Sequence, residues 1–345
     1  MTCPYSTYII VEKHLQGQHM QHLGSFAIEN GGDIYPLLID SQHTGGTGLM
    51  NPSILNLDGK IFVNIRHVNY TFYHSERKLF NHPFGPLTYL HPENDMHLRT
   101  WNWITELDDD FNQVRTHQID TSAFPEAEKW DFVGLEDVRL INWNGKIYTT
   151  GVRRDLKPNG EGRMELCEIE IKENSIVEKS RFRIPPPNDP TSYCEKNWMP
   201  IEDQPYAYIK WSNPTERVVV DPVAGTCVTT HHTEWKPINR DIRGGSQVVP
   251  LGDGRYFALT HEVDLFSSDA GRKDAVYRHR FLVWDKDWNL THWTEDFSIM
   301  GAQVEFAVGM TKKGNDFLIT TGYQDNAAFL VKIPESVLME YIFND

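Results

Sequence analysis

Alternating apolar and polar positions, typical of short β-strands, extend along most of the chain. The runs are rich in β-branched and aromatic residues and are bounded by Gly, Asn or Asp; examples are KIFVNIRHV, RYFALTHEV and DFLITTGY. Helical periodicity is convincing only in PESVLMEYIF near the C-terminus, where Pro334 stands close to the expected helix start. The pattern therefore predicts an all-β protein of about 20 strands with a short C-terminal helix.

An internal repeat organises these strands. Five segments share a polar start, an apolar strand, a tight turn, and an aromatic strand that ends in a polar residue; they begin at Asn51, Glu136, Glu195, Gly244 and Val304. The turns LDGK, WNGK and GDGR carry the Asx-Gly signal of a tight hairpin, and EDQP and KKGN are looser variants. Hairpin units that cannot bury both faces alone stack around an axis. We therefore predict a five-bladed β-propeller, with a β-sandwich as the alternative.

The repeat also suggests the domain organisation. We assign residues 51–345 to the propeller, which would be the catalytic domain. Residues 1–50, rich in His and Gly, would form an N-terminal extension packed on the propeller, covering one mouth of its channel or contacting another subunit.

Composition narrows the class of protein. A chain with 39% hydrophobic and 23% charged residues is typical of soluble globular proteins, and a formal net charge of −15 argues against binding nucleic-acid backbone or an anionic membrane. No apolar run is long enough for a transmembrane helix, and the first residues lack a signal-peptide pattern. The four widely spaced Cys suggest free thiols in a reducing compartment. We expect a cytoplasmic protein, with homo-oligomerisation left open.

Charged and amide side chains recur at equivalent points of the otherwise apolar repeats. The first strand of each repeat is the candidate inner strand, so its start and the end of the next strand should face the central channel. Buried polar groups cost several kcal/mol when unpaired, so this arrangement predicts one polar site on the axis. The strand starts hold Asn51, Glu136, Asp137, Arg139, Glu195, Lys196, Asn197, Arg243, Gly244, Gly245, Gln247 and Glu305; the second-strand ends hold Arg66, Arg153, Arg154, Lys210, His261, Glu262 and Asp325.

The five segments, in this order, resemble the conserved blocks of glycoside hydrolase family 130, five-bladed propellers that are mostly mannoside phosphorylases and whose fold related glycosyltransferases share. NPSILNLDGKIFVNIR is similar to the Asn-Pro block, and GLEDVRL is similar to the Glu-Asp-Pro-Arg block with Val138 in place of Pro. EKNWMPI is similar to the Lys/Arg-Asn block, and the last two segments are similar to the Gly-rich and C-terminal blocks. The resemblance covers about Asn51 to Val331 and implies an enzyme that acts on saccharides with inversion.

The chain departs from the family at the anion site. It has KWSNP where the family has an Arg-Pro, Arg243 is shifted relative to the family's Lys, and Thr260-His261-Glu262 replaces Tyr-His-Gly. Because the diphosphate of a sugar nucleotide also needs a basic site, we interpret the chain first as an inverting glycosyltransferase that uses an activated sugar donor. A β-mannoside-type glycoside phosphorylase, a hydrolase and a non-catalytic carbohydrate-binding propeller are the alternatives. The expected partners are a sugar nucleotide or sugar phosphate and a saccharide acceptor; no cofactor or metal is expected.

Asp137 is the predicted catalytic residue. The resemblance implies an acid that acts through a sugar hydroxyl; in a synthetic reaction the same carboxylate would be the base that activates the acceptor. Strand alternation predicts Arg139 on the same face as Asp137, and Glu136 on the opposite face in a structural role. A hydrolase would need a second carboxylate, for which Glu195, Glu262 and Glu305 are present.

The other predicted site residues bind substrate. Lys196 and Arg243 are the preferred anion ligands, followed by Arg66 and Lys210, because their charges complement phosphate. His261 is a candidate donor to phosphate or a hydroxyl, and Asp325 resembles a sugar-hydroxyl ligand. The complete predicted set is Asn51, Arg66, Arg139, Lys196, Asn197, Lys210, Arg243, Gly244, Gly245, Gln247, His261, Glu262 and Asp325.

Overall fold

The computed structural model describes residues 22–74, 87–267 and 273–343. Residues 1–21 of the expected extension therefore lie outside the described part. The helices are α1 (Leu23–Glu29), α2 (Ser41–Thr44) and α3 (Glu335–Phe343). The strands are β1 (Asp33–Leu37), β2 (Leu49–Leu57), β3 (Lys60–Val68), β4 (Thr71–His74), β5 (Leu87–Leu90), β6 (Leu98–Leu107), β7 (Gln113–Asp120), β8 (Phe132–Val133), β9 (Leu135–Trp143), β10 (Lys146–Arg153), β11 (Arg163–Ile171), β12 (Ile176–Arg183), β13 (Met199–Pro200), β14 (Ala207–Ser212), β15 (Thr215–Asp221), β16 (Thr226–His232), β17 (Arg243–Gly244), β18 (Val249–Pro250), β19 (Tyr256–Ser267), β20 (Lys273–Trp284), β21 (Leu290–Trp293), β22 (Glu305–Lys313), β23 (Asp316–Tyr323) and β24 (Ala327–Pro334).

Antiparallel pairing divides these strands into successive units. The first is β2-β3-β6-β7 and the second is β9-β10-β11-β12; a short parallel contact between β7 and β12 joins their outer edges. The third is β13-β14-β15-β16, and the fourth is β19-β20-β21 with β17 and β18 both paired to β19. The last is β22-β23-β24-β1. The all-β prediction is confirmed, and α3 lies where the helical pattern predicted a helix.

Tight turns connect the first two strands of the units as their sequences predict. In the first unit Asp58 and Gly59 have φ values of 51° and 90°, and in the second Asn144 and Gly145 have 54° and 75°. Positive φ at both central residues defines the turn whose twist matches paired strands, and Asx-Gly accommodates it at little steric cost.

The segment that precedes the first repeat pairs with and packs against the last unit. Strand β1 pairs with β24 along its whole length, from Asp33 opposite Lys332 to Leu37 opposite Ala328. Leu23 and Ala27 of α1 are fully buried in the apolar cluster that the last two units share with α3. Residues 33–37, assigned to an extension from the sequence, are thus the outermost strand of the last sheet.

Gln247 joins the inner strands near the axis, where it is 1% exposed. Its Nε2 donates to the carbonyl oxygens of Ile54 and Leu140 at 2.6 and 2.7 Å, and its Oε1 accepts from the Met310 nitrogen at 3.0 Å. The side chain therefore connects β2, β9 and β22 to the fourth unit. These bonds occupy its amide, so the predicted contact of Gln247 with substrate is corrected to a structural role.

Candidate active site

A cavity of about 160 Å³ lies where the inner strands begin. Eight predicted site residues line it: Asn51, Arg66, Asp137, Lys196, Asn197, Arg243, His261 and Asp325. Seven further lining residues were not predicted to bind substrate: Tyr70, Tyr89, Phe132, Glu136, Tyr277, Val304 and Phe306. Side chains separated by up to 274 positions in the sequence thus meet in one polar cavity.

Three of these residues share a left-handed backbone conformation and line the cavity. Asn51, Asp137 and Asn197 occupy equivalent positions in the first three repeats, and their φ values are 44°, 50° and 61°. Asn and Asp are among the few non-glycine residues that adopt this left-handed conformation readily, and such strain clusters at functional sites. The recurrence of Asn or Asp at this position was the sequence signal for the kink.

Glycines allow other backbone to approach the kinked residues closely. A Cβ on Gly322 would lie 2.4 Å from Asn51 Oδ1, and one on Gly151 would lie 2.4 Å from the carbonyl oxygen of Glu136. Both distances are far below van der Waals contact. A side chain at either position would displace the start of an inner strand and, with it, the wall of the cavity.

The kink at Asp137 corrects the prediction for Glu136. Regular alternation would place these neighbours on opposite faces, but Asp137 is left-handed and lies in a bulge of β9, where Asp137 and Val138 together stand opposite Gly151 of β10, and this interrupts the alternation. Arg66 Nη1 donates to Asp137 Oδ1 at 2.8 Å, and Arg66 Nη2 donates to Glu136 Oε2 at 3.1 Å. Both carboxylates therefore face one guanidinium group inside the cavity.

Arg66 is the centre of this acidic side of the cavity, and its side chain is only 5% exposed. Its Nε donates to Thr100 Oγ1 at 3.1 Å and its Nη2 also donates to the Tyr70 hydroxyl at 3.2 Å. Burial opposes the charge, but the neighbouring Tyr70, Asp137 and Glu136 outweigh it and raise the pKa of Arg66. The guanidinium therefore stays protonated and fixes the orientation of both carboxylates.

The three carboxyl groups of the cavity have different proton affinities. Burial opposes ionisation of Asp137, but Arg66, Arg139 and a 2.8 Å hydrogen bond from Asn51 Nδ2 hold its pKa below the ordinary value. Burial raises the pKa of Glu136 in spite of Arg66. Burial also raises the pKa of Asp325 to about 6. At neutral pH, Asp137 is the most firmly ionised of the three.

Basic side chains also line the cavity. Lys196 is exposed at the mouth, and within the described chain no carboxylate lies within 4 Å of its Nζ. Arg243 is half-buried and pairs with Asp241, whose side chain is 64% exposed, at 3.0 Å. Burial and the nearby cationic groups lower the pKa of His261 well below its ordinary value, so its ring is neutral. Two cations with weak or no acidic partners thus face the cavity.

Unpaired polar atoms also mark this cavity as a binding site. Among the buried side-chain atoms without a hydrogen-bond partner in the described residues are Asn51 Oδ1, Glu136 Oε1, Asn197 Oδ1 and His261 Nδ1. Buried polar groups are nearly always hydrogen-bonded, so a cluster of exceptions at one place requires an explanation. A ligand rich in hydroxyl groups would supply donors to these acceptors.

Arg139 lies beneath the cavity and is 1% exposed. Its Nη1 donates to the Asp137 carbonyl oxygen at 2.7 Å, and its Nε and Nη2 donate to the carbonyl oxygens of Gly245 and Gly244 at 2.8 and 3.4 Å. The predicted substrate contacts of Arg139, Gly244 and Gly245 are therefore corrected: these groups support the backbone of Asp137 and of the segment that follows Arg243.

Lys210 and Glu262 also lie away from the cavity lining. Lys210 Nζ is 3.6 Å from Glu195 Oε1 and 3.8 Å from Glu216 Oε2, so buried acids surround this cation. Glu262 Oε2 is 3.3 Å from Arg280 Nε, and its Oε1 is 3.3 Å from Arg240 Nε. The prediction that Lys210 and Glu262 bind substrate is corrected to buried ion pairs at the ends of the second strands.

The carboxylates suggested for a hydrolase form hydrogen bonds or ion pairs with other residues and do not line the cavity. Glu195 Oε2 accepts from Trp198 Nε1 at 3.2 Å, and Glu262 forms the ion pairs described above. Glu305 accepts from the backbone nitrogens of Ile299, Met300 and Ala302 at 2.6, 2.7 and 3.0 Å. Among the residues that the structure describes, a second catalytic carboxylate in this cavity would therefore have to be Asp325 or Glu136.

No group of three or more His, Cys, Asp or Glu side chains in residues 22–74, 87–267 and 273–343 is arranged to hold a metal ion. In the same residues, every helix is too short or too polar to cross a bilayer.

The fold defines the structural class of the protein. It is the β-propeller of the mannoside phosphorylases and glycoside hydrolases of family 130, which confirms at the level of fold the resemblance seen in the sequence. The sequence matches no protein-family model, and no curated protein is detectably similar to it.

Particular solved structures show the extent of this similarity. The β-1,2-mannobiose phosphorylase from Listeria innocua is 12% identical with a TM-score of 0.54, over 90% of this chain and 97% of its own. A member of glycoside hydrolase family 130, from work on hydrolases of β-1,2-mannosidic linkages in Candida mannan, is 12% identical with a TM-score of 0.56, over 84% and 85%. A glycosyl hydrolase from Bacteroides ovatus is 12% identical with a TM-score of 0.55, over the same shares.

Proposed function

We propose that the chain is a carbohydrate-active enzyme, a glycoside phosphorylase of the β-mannoside type. The observation that carries the proposal is one cavity lined by both a firmly held carboxylate and cationic side chains. Asp137 is held by Arg66 and Asn51. Lys196 and Arg243 provide positive charge for phosphate, and the same cavity contains unpaired acceptors suited to sugar hydroxyls.

The proposed reaction is an inverting displacement. A phosphate oxygen held by Lys196 and Arg243 attacks the anomeric carbon as its bond to the glycosidic oxygen breaks. The leaving oxygen takes a proton that Asp137 supplies through a sugar hydroxyl, and a β-mannoside yields α-mannose 1-phosphate. Its neighbours hold the pKa of Asp137 below the ordinary value, but a phosphate dianion bound in the same cavity raises its proton affinity. In the synthetic direction, the same carboxylate accepts the proton of the acceptor hydroxyl.

The solved structures with this fold support a phosphorylase more than the sugar-nucleotide-dependent transferase placed first from the sequence. Those with TM-scores of 0.53 to 0.56 include a β-1,2-mannobiose phosphorylase and several glycoside hydrolases. Hydrolysis is the second candidate, and Asp325 favours it. This carboxyl group lines the same cavity, has a pKa of about 6 and accepts a 3.1 Å hydrogen bond from the Tyr89 hydroxyl. A base that activates water needs such a pKa near neutrality.

The test incubates the protein with β-1,2-mannobiose, with and without inorganic phosphate, and measures mannose and mannose 1-phosphate. If the enzyme is a phosphorylase, mannose 1-phosphate should form only when inorganic phosphate is present. Asp137→Asn should reduce the rate of this phosphorolysis by about 10²–10⁴-fold and leave the melting temperature unchanged. Asp253→Asn, in an exposed turn, is the matched control. Release of mannose without phosphate would establish hydrolysis instead, and turnover of neither kind across a panel of β-mannosides would refute both.

A further inference from the structure

A cation next to two aromatic rings stands just outside the cavity. Phe132 lines the cavity, and the guanidinium carbon of Arg154 lies 5.7 Å from the centre of its ring. The same carbon lies 5.8 Å from the ring centre of Tyr193, a residue that is 52% exposed. We call Phe132, Arg154 and Tyr193 the outer rim. It continues the cavity wall outward to solvent.

Hydrogen bonds to backbone carbonyl groups hold the polar groups of the outer rim in place. Arg154 Nε donates to the Gly160 carbonyl oxygen at 3.0 Å, and Arg154 Nη2 donates to the Tyr193 hydroxyl at 3.1 Å. That hydroxyl donates in turn to the Asn159 carbonyl oxygen at 2.9 Å. One turn of backbone thus fixes both side chains, and a ligand that binds to them meets a surface that is already ordered.

Arg154 keeps donors for a ligand. Across residues 22–74, 87–267 and 273–343, no carboxylate lies within 4 Å of its guanidinium group, and its Nη1 has no hydrogen-bond partner. The charge nevertheless acts on the cavity, because Arg154 is one of the groups that lower the pKa of Glu136 against the effect of burial. Its surroundings suit the hydroxyl groups of a neutral sugar, since the cation lies beside two aromatic rings, Phe132 and Tyr193.

The size of the cavity explains why a site outside it is needed. Its volume is about 160 Å³, and an engineered cavity of roughly 150 Å³ in another protein holds one benzene ring. One sugar ring therefore fills the space beside Asp137. The next sugar of a disaccharide has to lie at the mouth, where the outer rim offers an aromatic face and free N–H donors.

We propose that the outer rim binds the second sugar of the substrate, which is the acceptor sugar in the synthetic direction. One face of the pyranose lies on the Tyr193 ring, and its hydroxyl groups accept hydrogen bonds from Arg154. This inference rests on the proposed function, because it assumes a saccharide whose reacting ring occupies the cavity.

The test is a kinetic measurement in the synthetic direction, with α-mannose 1-phosphate as donor and a panel of mannose, glucose, N-acetylglucosamine and β-1,2-mannobiose as acceptors. Arg154→Ala and Tyr193→Ala should each raise the KM of the preferred acceptor about tenfold or more, because a hydrogen bond to a charged group or a stacked ring is lost. The KM of mannose 1-phosphate should stay within twofold. Lys157→Ala is the matched control, since this side chain on the same turn is 55% exposed and forms an ion pair with Glu161.

The possible outcomes distinguish a failure of the outer-rim proposal from a failure of the proposed function. If the unaltered protein is active and the acceptor KM is unchanged in both Arg154→Ala and Tyr193→Ala, the role of the outer rim is overturned and the proposed function stays intact. A raised KM for mannose 1-phosphate instead also overturns it, because Arg154 would then belong to the phosphate site. If the unaltered protein uses no acceptor, phosphorolysis of mannosides is refuted and the inference fails with it.

Discussion

Replacing Arg66 by Met tests the central electrostatic element of the cavity. The substitution keeps the length of the apolar stem and removes a guanidinium that is 5% exposed and contacts both Glu136 and Asp137, whose side chains are 13% and 17% exposed. Removing one partner from a buried ion pair costs about 3–5 kcal/mol because the remaining charge is left uncompensated. We therefore expect the free energy of unfolding at pH 8 to fall by about 3–5 kcal/mol.

The pH dependence of this loss is the sharper part of the test. In the wild type the pKa of Asp137 is lowered, so its contribution to stability is present above the ordinary carboxyl pKa and is lost as pH falls through the lowered value. Without Arg66, burial raises the pKa of both Glu136 and Asp137, and the variant takes up protons as pH falls. The loss in unfolding free energy should therefore be smaller at pH 5 than at pH 8.

Urea denaturation at the two pH values measures both quantities. Arg240→Met is the matched control, because Arg240 also contacts two carboxylates, Glu262 and Asp264 at 3.3 and 2.6 Å, but is 40% exposed. The Arg240–Asp264 pair is solvent-exposed and worth at most about 1 kcal/mol, and the buried Glu262 keeps its pair with Arg280 when Arg240 is replaced. A loss below about 1 kcal/mol for Arg66→Met, or an equal loss at pH 5 and pH 8, would contradict the reasoning.

Two further expectations follow from the same cavity. The pKa of Asp325 is raised to about 6, so its contribution to stability is present below the ordinary pKa of 3.8 and lost as pH rises through about 6. The melting temperature of Asp325→Asn, relative to that of the wild type, should therefore be higher at pH 8 than at pH 4. An equal difference in melting temperature at the two pH values would argue against a raised pKa of Asp325. Arg139→Lys cannot reproduce the bonds to Asp137 and Gly245 and should lower kcat about tenfold; Arg280→Lys, a buried control away from the cavity, should not.

Several features of the fold were readable in the sequence because they depend on local chemistry. The Asx-Gly pairs Asp58-Gly59 and Asn144-Gly145 adopt positive φ at both residues, which is the local geometry of a tight hairpin, whereas in GDGR the two glycines rather than Asp253 have positive φ. Strand periodicity and the helical pattern before Phe343 were likewise local signals. The recurrence of polar residues at equivalent points, such as Asn51 and Asp137, was sufficient to predict a common site on the axis, and the cavity contains both.

Other parts of the site depend on contacts that have no local signature. Tyr89 reaches Asp325 from β5, a strand inserted between the second and third strands of the first unit, and Tyr277 comes from the third strand of the fourth. Neither lies in the repeated segments, so no repeat position pointed to them. The final strand of the last unit, β1, comes from the opposite end of the described chain.

The sequence by itself determined the strands, their hairpins and the set of polar residues available at the axis, because propensity, turn chemistry and repeat position act over a few residues. Only the tertiary structure decided which of those residues share the cavity. The left-handed backbone at Asp137 turned Glu136 inward against the alternation of a regular strand, whereas Arg139 and Gln247 were directed to backbone carbonyl groups beneath it. A polar side chain near the axis binds whichever partner the packed units bring within hydrogen-bond distance, and that choice is made by long-range packing.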